Sequence, residues 1–241
     1  MMARQFAVDE RLFQYFPELI IGVVVVSELD NTVPAPEIAH LWRTVQQELR
    51  EKWGQHKIQE HPHVIPWRTA FQRLHMSGSR FPSSIEAMGR RVLKGQDLPS
   101  INPLVDLYNS LSLRYLVPMG GHALEAVVGD IWLTFSQGGE PFRPLGETQV
   151  EVVSAGEVVY KDAQKILTRR WVWRQCDEDK VLPSSREVFI PIDLLGERGR
   201  ERGEEIITAF SSLSQRYLPC RIQSALLDSA HRVMTFEGKD T

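Results

Sequence analysis

Between Leu98 and Gln175 the chain carries an asparagine inside an apolar helical stretch, a Gly-Gly-His turn, and a run with two tryptophans and three arginines. Asn109 sits off the stripe made by Leu104, Leu107, Tyr108, Leu111 and Tyr115, among Val105, Ser112, Leu113 and Leu116. Both sides are largely apolar, so Asn109 is expected to be buried, and a buried amide must find partners in protein, water or ligand. It is either a structural amide bonded to backbone or a ligand anchor. Pro118-Met119-Gly120-Gly121-His122 follows that helix. Paired glycines let backbone N–H groups approach a ligand and form an anion-binding concavity. His122 could orient a water or accept a proton at neutral pH; the plain alternative is a turn with a surface histidine. In TRRWVWRQ, read as one strand, Trp171 and Trp173 share a face with Arg169 and Gln175, and Arg170, Val172 and Arg174 share the other. Tryptophan pairs usually belong to a core, yet this face turns polar at its ends.

Together these pieces are expected to form a pocket with a polar floor, aromatic walls and a cationic rim. An aromatic patch with guanidinium and amide ends suits an amino acid or the terminal adenosine of a tRNA. Arg90, Arg91 and Lys94, with Arg169 and Arg170, form the cation cluster that could meet a phosphate backbone. His56, His61 and His63 lie close together in a polar loop without regular ligand spacing or a nearby cysteine, so no metal site is assigned. There is no GxSxG, phosphate-binding loop or dinucleotide fingerprint, and no cofactor is expected.

The elements that must position these residues are legible. ELIIGVVVVSE (18–28) reads as a buried strand. A helix over about 36–53 places Ile38, Leu41, Trp42, Val45 and Leu49 on one face. IPWRTAFQRLHM (65–76) reads as a second helix. Ser83 and Glu86 have capping-box spacing at the head of a third, which Gly95 closes. Asn102-Pro103 starts a fourth, running to about Leu116. From Gly129 onward DIWLTFS, TQVEVVS, EVVYKD, KILTRRWVWRQ and VFIPID are β-rich, and a last helix runs from about Glu201 to Tyr217. The expected class is α+β: a helical N-terminal half packed on an antiparallel sheet region, as one domain over 1–241.

With 241 residues, 42% hydrophobic and 24% charged, the chain has an ordinary globular composition. The longest apolar run, Leu19 to Val26, is far too short to cross a bilayer. MMARQFAVDERLF does not read as a signal peptide. Two cysteines are too few for a disulfide framework, and a reducing cytoplasm is the expected setting. The net charge of −3 argues against nonspecific coating of nucleic acid, although 21 of the 28 basic residues are arginines, the better forked partner for phosphate and carboxylate.

HPHVIPWRTAF, SSIEAMGRRVLKGQDLPSINPLVDLYNSLSL, VPMGGHALEAVVGD, PFRPLG, GEVVYKD and TRRWVWRQCDEDK together resemble the editing domain of the phenylalanyl-tRNA synthetase β subunit, the B-three/B-four domain, in its freestanding form. The resemblance covers roughly residues 60–220. It implies an α+β domain around a β-sandwich of unusual topology. The activity it implies is hydrolysis, in trans, of a wrong amino acid or analogue from tRNA, the partner being an aminoacyl-tRNA. The synthetase's Thr-Asn pair corresponds to Tyr108-Asn109. Its editing histidine corresponds to Gly120; His122 falls two positions later, where the synthetase has Phe. Asp, usual after the aromatic position in freestanding relatives, is Ala123 here. TRRWVWRQ replaces a Gly- and Ala-rich strand. The expected function is therefore an aminoacyl-tRNA deacylase, with Asn109, Gly120, Gly121 and His122 at the chemistry, Tyr108, Trp171, Trp173, Gln175 and Arg169 holding substrate, and Arg90, Arg91, Lys94 and Arg170 on the tRNA. The alternative is a non-catalytic module that binds tRNA or an amino acid. Catalysis is expected from backbone donors and a placed water, with His122→Ala losing less than about tenfold.

Overall fold

Ile21 to Val26 is apolar without interruption because both faces of its strand are covered. Val23 and Val25 enter one core, Val24 and Val26 another. The computed structural model describes residues 2–238. Its first half contains β1 (Met2–Val8), α1 (Glu10–Tyr15), β2 (Ile20–Ser27), α2 (Pro36–Trp53), α3 (Ile65–Arg73), α4 (Ser84–Leu93) and α5 (Pro103–Tyr115). There follow β3 (His122–Ala123), β4 (Ile131–Phe135), β5 (Pro141–Phe142), β6 (Glu151–Val152), β7 (Val158–Lys161), β8 (Ile166–Arg169) and β9 (Arg174–Gln175). The chain ends in β10 (Val188–Leu194), α6 (Gly199–Tyr217), β11 (Arg221–Leu227) and β12 (Val233–Gly238).

The class is α+β, as expected. One sheet has the order β12-β1-β4-β7-β8-β9, a second β11-β2-β10-β3, and β5 pairs with β6. Pairing is antiparallel except between β1 and β4. Between the two larger sheets lies an aromatic core of Phe6, Phe16, Trp67, Tyr160, Trp171, Phe189 and Phe236. The far face of the second sheet packs Val24, Ile190 and Ile192 against Leu107, Leu111, Ile206 and Phe210 of α5 and α6. Trp42, Val45, Ile85 and Leu113 join α2, α4 and α5.

Local signals hold at the helix that positions the site. Asn102 caps α5 through its side chain, accepting from the Val105 N–H at 3.1 Å, and Pro103 opens the helix. At α4, Ser83 caps the Glu86 N–H at 3.3 Å, but Glu86 does not reciprocate. It is pulled away by Arg68 and Arg90, at 2.7 and 2.6 Å. The N-terminal half is not purely helical, since β1 and β2 each take an interior position in a sheet.

Candidate functional site

The turn after α5 is built by register. Met119 bridges Ile192, and His122 pairs with Phe189, so the two strands stay in step and Gly120 falls opposite Pro191. Pro191 has no N–H to donate, and the ladder opens there. Gly121 must be glycine: a Cβ there would sit 2.8 Å from the Tyr108 ring and 3.0 Å from Val181. A Cβ at Gly120 would meet nothing within 4 Å. The Gln175 side-chain amide donates to the Gly121 carbonyl and ties this turn to β9.

TRRWVWRQ is not one strand. β8 and β9 form a hairpin, with Thr168 opposite Gln175 and Arg169 opposite Arg174. The chain reverses through Arg170 and Trp171, whose φ values are 50° and 62°. Left-handed backbone at two non-glycine residues costs about 1–3 kcal/mol each. Trp171 offsets this by complete burial, edge-on to Trp67 at 5.1 Å, with its Nε1–H donating to Asp193 at 2.8 Å. Trp173 takes a different course and packs edge-on to Phe81 at 4.9 Å. The expectation that both rings share a strand face is corrected, yet both still line one cavity.

That cavity is the inner of two chambers. It holds about 80 Å³, and its lining includes His122, Tyr160, Thr168, Trp171, Trp173 and Asp193. Ser84, Met119, Gly120 and Gln175 line it and also an outer cleft of about 490 Å³. Tyr108, Asn109, Arg91 and Lys180 stand in the outer cleft among Leu98, Val105, Leu145 and Leu182. Asn109 is half-buried rather than buried, because the helix face expected to be covered is the wall of this cleft. Its amide makes no hydrogen bond to any described residue.

His122 is not a surface residue; it is 1% exposed. Its Nδ1 meets Asp179, which is 0% exposed. A carboxylate can only accept, so Nδ1 carries a proton and Nε2 is the ring nitrogen that faces other partners. Nε2 lies 3.4 Å from the Thr168 hydroxyl, beside the inner chamber. The Asp179 carbonyl also accepts from the Ala123 N–H at 2.8 Å, fixing the carboxylate's turn against β3. On the same chamber, Asp193 accepts from Tyr160 Oη at 2.7 Å as well as from Trp171. Burial pushes the Asp193 carboxyl up to about 7, against those hydrogen bonds and the nearby His122. Burial also raises the Tyr160 and Tyr108 hydroxyls.

The arginines divide. Arg169, 9% exposed, is clamped by Glu157 through two 2.8 Å bonds and by Glu151, and it lines neither chamber. It braces the hairpin and is not available to substrate. Arg170 lies 3.6 Å above the Phe81 ring and 3.5 Å from Glu157. Arg90 is paired with Glu86. Arg91 and Lys94 are exposed on α4 and the turn that follows it. The histidine loop is a ring stack: His61 lies 4.6 Å from Trp53 and 5.1 Å from His63. Burial, with His63 and Arg202 nearby, lowers His61 to about 4. Thr168, Asp179 and Asp193 went unnoticed in the sequence. A lone Asp in the apolar run VFIPID and the acidic run after WRQC were the signals for the two carboxyls.

No described helix is long and apolar enough to cross a membrane. The structure is similar to that of an N-terminal fragment of the phenylalanyl-tRNA synthetase β subunit from Pyrococcus horikoshii, at 11% identity and a TM-score of 0.48. The match covers 90% of this chain and 49% of that one, so the chain spans about half the length of that fragment. Among curated proteins there is no match. The family model of the B3/4 domain matches residues 66–235. The chain belongs to the B3/4 domain family.

Proposed function

We propose that this protein hydrolyses the ester of a mischarged aminoacyl-tRNA in trans, with His122 as the proton acceptor. The observation that carries the reading is the buried Asp179–His122 pair, whose Nε2 stands 3.4 Å from the Thr168 hydroxyl beside a chamber that shares Gly120 and Gln175 with a wider cleft. The resemblance read from the sequence supplies the substrate class. The 3′-terminal adenosine occupies the outer cleft, where Asn109 offers an uncommitted amide and Tyr108 a wall. The aminoacyl carbonyl reaches the inner chamber. A water there gives its proton to His122 Nε2 as its oxygen attacks the carbonyl carbon. The ester C–O bond then breaks, and the imidazolium returns the proton to the departing ribose oxygen. The products are a free amino acid and an uncharged tRNA. Asp179 holds the tautomer and stabilises the imidazolium between the two transfers.

This differs from the backbone-only catalysis expected from the sequence, because an imidazole oriented by a buried carboxylate is the standard arrangement for a general base. Catalytic amounts of protein incubated with a panel of mischarged tRNAs test the reading. Multiple turnovers on at least one of them support it. Stoichiometric binding without turnover assigns the protein to the alternative class, a binding module.

A further inference from the structure

Among the described residues Asp193 is the one carboxyl that lines the inner chamber, and the proposed chemistry does not use it. It stands near the end of β10, 2% exposed, with its backbone N–H fixed to the Pro118 carbonyl at 3.1 Å. Tyr160 and Trp171 both donate to the same oxygen, Oδ1. Oδ2 accepts from no described residue. The sealed polar atoms without a partner are Glu86 Oε2, Arg143 Nε and Asp179 Oδ1 among the described residues. Asp193 Oδ2 is not one of them, so it is open to the chamber it lines.

No lysine or arginine is paired with Asp193 among the described residues. Arg174, which also lines the chamber, is engaged by Glu147. Two neutral donors cannot cancel a buried negative charge, and such a charge is costly until a cation joins it. The raised Asp193 pKa reports that cost. The chamber therefore holds an oriented acceptor, bonded to no lysine or arginine among the described residues, beside the imidazole that faces the same space.

We propose that Asp193 Oδ2 receives the α-ammonium group of the aminoacyl ester, making the free amine a requirement for the substrate. The inference rests on the deacylase reading for the identity of the ligand. Its geometry follows from the ester itself: the α-nitrogen is two bonds from the carbonyl carbon, so an anchor for one and a base for the other must flank one small space. Asp193 and His122 do. The site would accept any side chain at this level and reject α-hydroxyacyl and N-blocked esters. Selection among amino acids would fall to other walls of the cleft.

The test uses the intact protein and probes that cannot be hydrolysed: 3′-alanylamino- and 3′-phenylalanylamino-3′-deoxyadenosine, with the lactyl and phenyllactyl counterparts in which the amine is a hydroxyl. Dissociation constants are measured by calorimetry at pH 7.5. At least one amine probe is expected to bind tenfold or more tightly than its hydroxyl counterpart. Asp193→Asn keeps an acceptor for Tyr160 and Trp171 and is expected to reduce that preference to about twofold. Equal binding of the two forms to the wild type, a comparison that needs no variant, would overturn the proposal. So would binding of neither, or a preference that survives in a folded Asp193→Asn protein. Amine preference without turnover of any mischarged tRNA would uphold the ammonium site while removing the hydrolase reading.

Discussion

The imidazole of His122 and the carboxylate of Asp179, 57 residues apart in sequence, meet as a buried pair at the edge of a chamber. Among the described residues Asp179 Oδ1 has no partner, and His122 is the only side chain to which this sealed carboxylate is bonded. Asp179→Asn would retain the volume and remove the charge that stabilises an imidazolium. The expected outcome is a fall in kcat of about 10²-fold or more, with KM nearly unchanged and circular dichroism intact. A structural role alone would lower the melting temperature and leave the kcat of the folded fraction untouched.

Asn109 offers the opposite balance. Its amide is half-buried and bonded to no described residue, so its removal leaves no orphaned partner. Asn109→Ala should change stability by no more than about 0.5 kcal/mol while weakening turnover about three- to tenfold, the worth of one ligand hydrogen bond. Parallel melting and rate measurements check this. A large stability loss with full activity would make the residue structural.

Asp193 predicts a signature in stability against pH. Its folded-state value, about 7, lies above the ordinary 3.8. The unfolded chain therefore releases this proton first, and the stability tied to the neutral carboxyl is present below about pH 4 and lost as pH rises to about 7. Relative to Asp193→Asn, the wild type should lose melting temperature steadily between pH 4 and 7 and hold a constant difference above that. The facing groups, Tyr160, Trp171 and His122, are common to both proteins, so the difference isolates Asp193. A flat difference would contradict the assignment.

For tRNA, Arg91 lines the outer cleft and is exposed, Lys94 is exposed just after the same helix, and Lys180 in the cleft is paired with Asp177; Arg90 and Arg169 are engaged by glutamates. Binding should weaken with salt, with a log–log slope of only a few units. The double substitution Arg91→Ala and Lys94→Ala should reduce that slope by about 1–2. Filter binding from low to moderate salt measures it, and an unchanged slope would place the tRNA elsewhere.

Helix and strand signals that depend on near neighbours were legible. The apolar period over 36–53, the Asn102-Pro103 start and the doubly covered strand through Val23–Val26 all stand in the structure. What misled was the Trp-Val-Trp alternation. Its period of two is that of a strand, but Arg170 and Trp171 reverse the chain without the Gly, Asn or Asp that left-handed turns favour. Burial of one indole in a distant aromatic core decides that turn, and no local pattern reports it. The same holds for β1, which pairs with β12 and β4 across the length of the chain. The site follows this division. Tyr108, Asn109, Gly120 and Gln175 could be picked out locally and do converge, whereas the partner that turns His122 from an ordinary histidine into an oriented base comes from a remote turn.

The central claim is that His122 accepts the proton from the attacking water. The direct measurement is single-turnover hydrolysis of a mischarged tRNA by the wild type and His122→Ala, with the fold of each checked by circular dichroism. The expected loss in His122→Ala is about 10²–10⁴-fold. A folded His122→Ala protein within about tenfold of the wild type would contradict it and return the chemistry to the Gly120-Gly121 backbone.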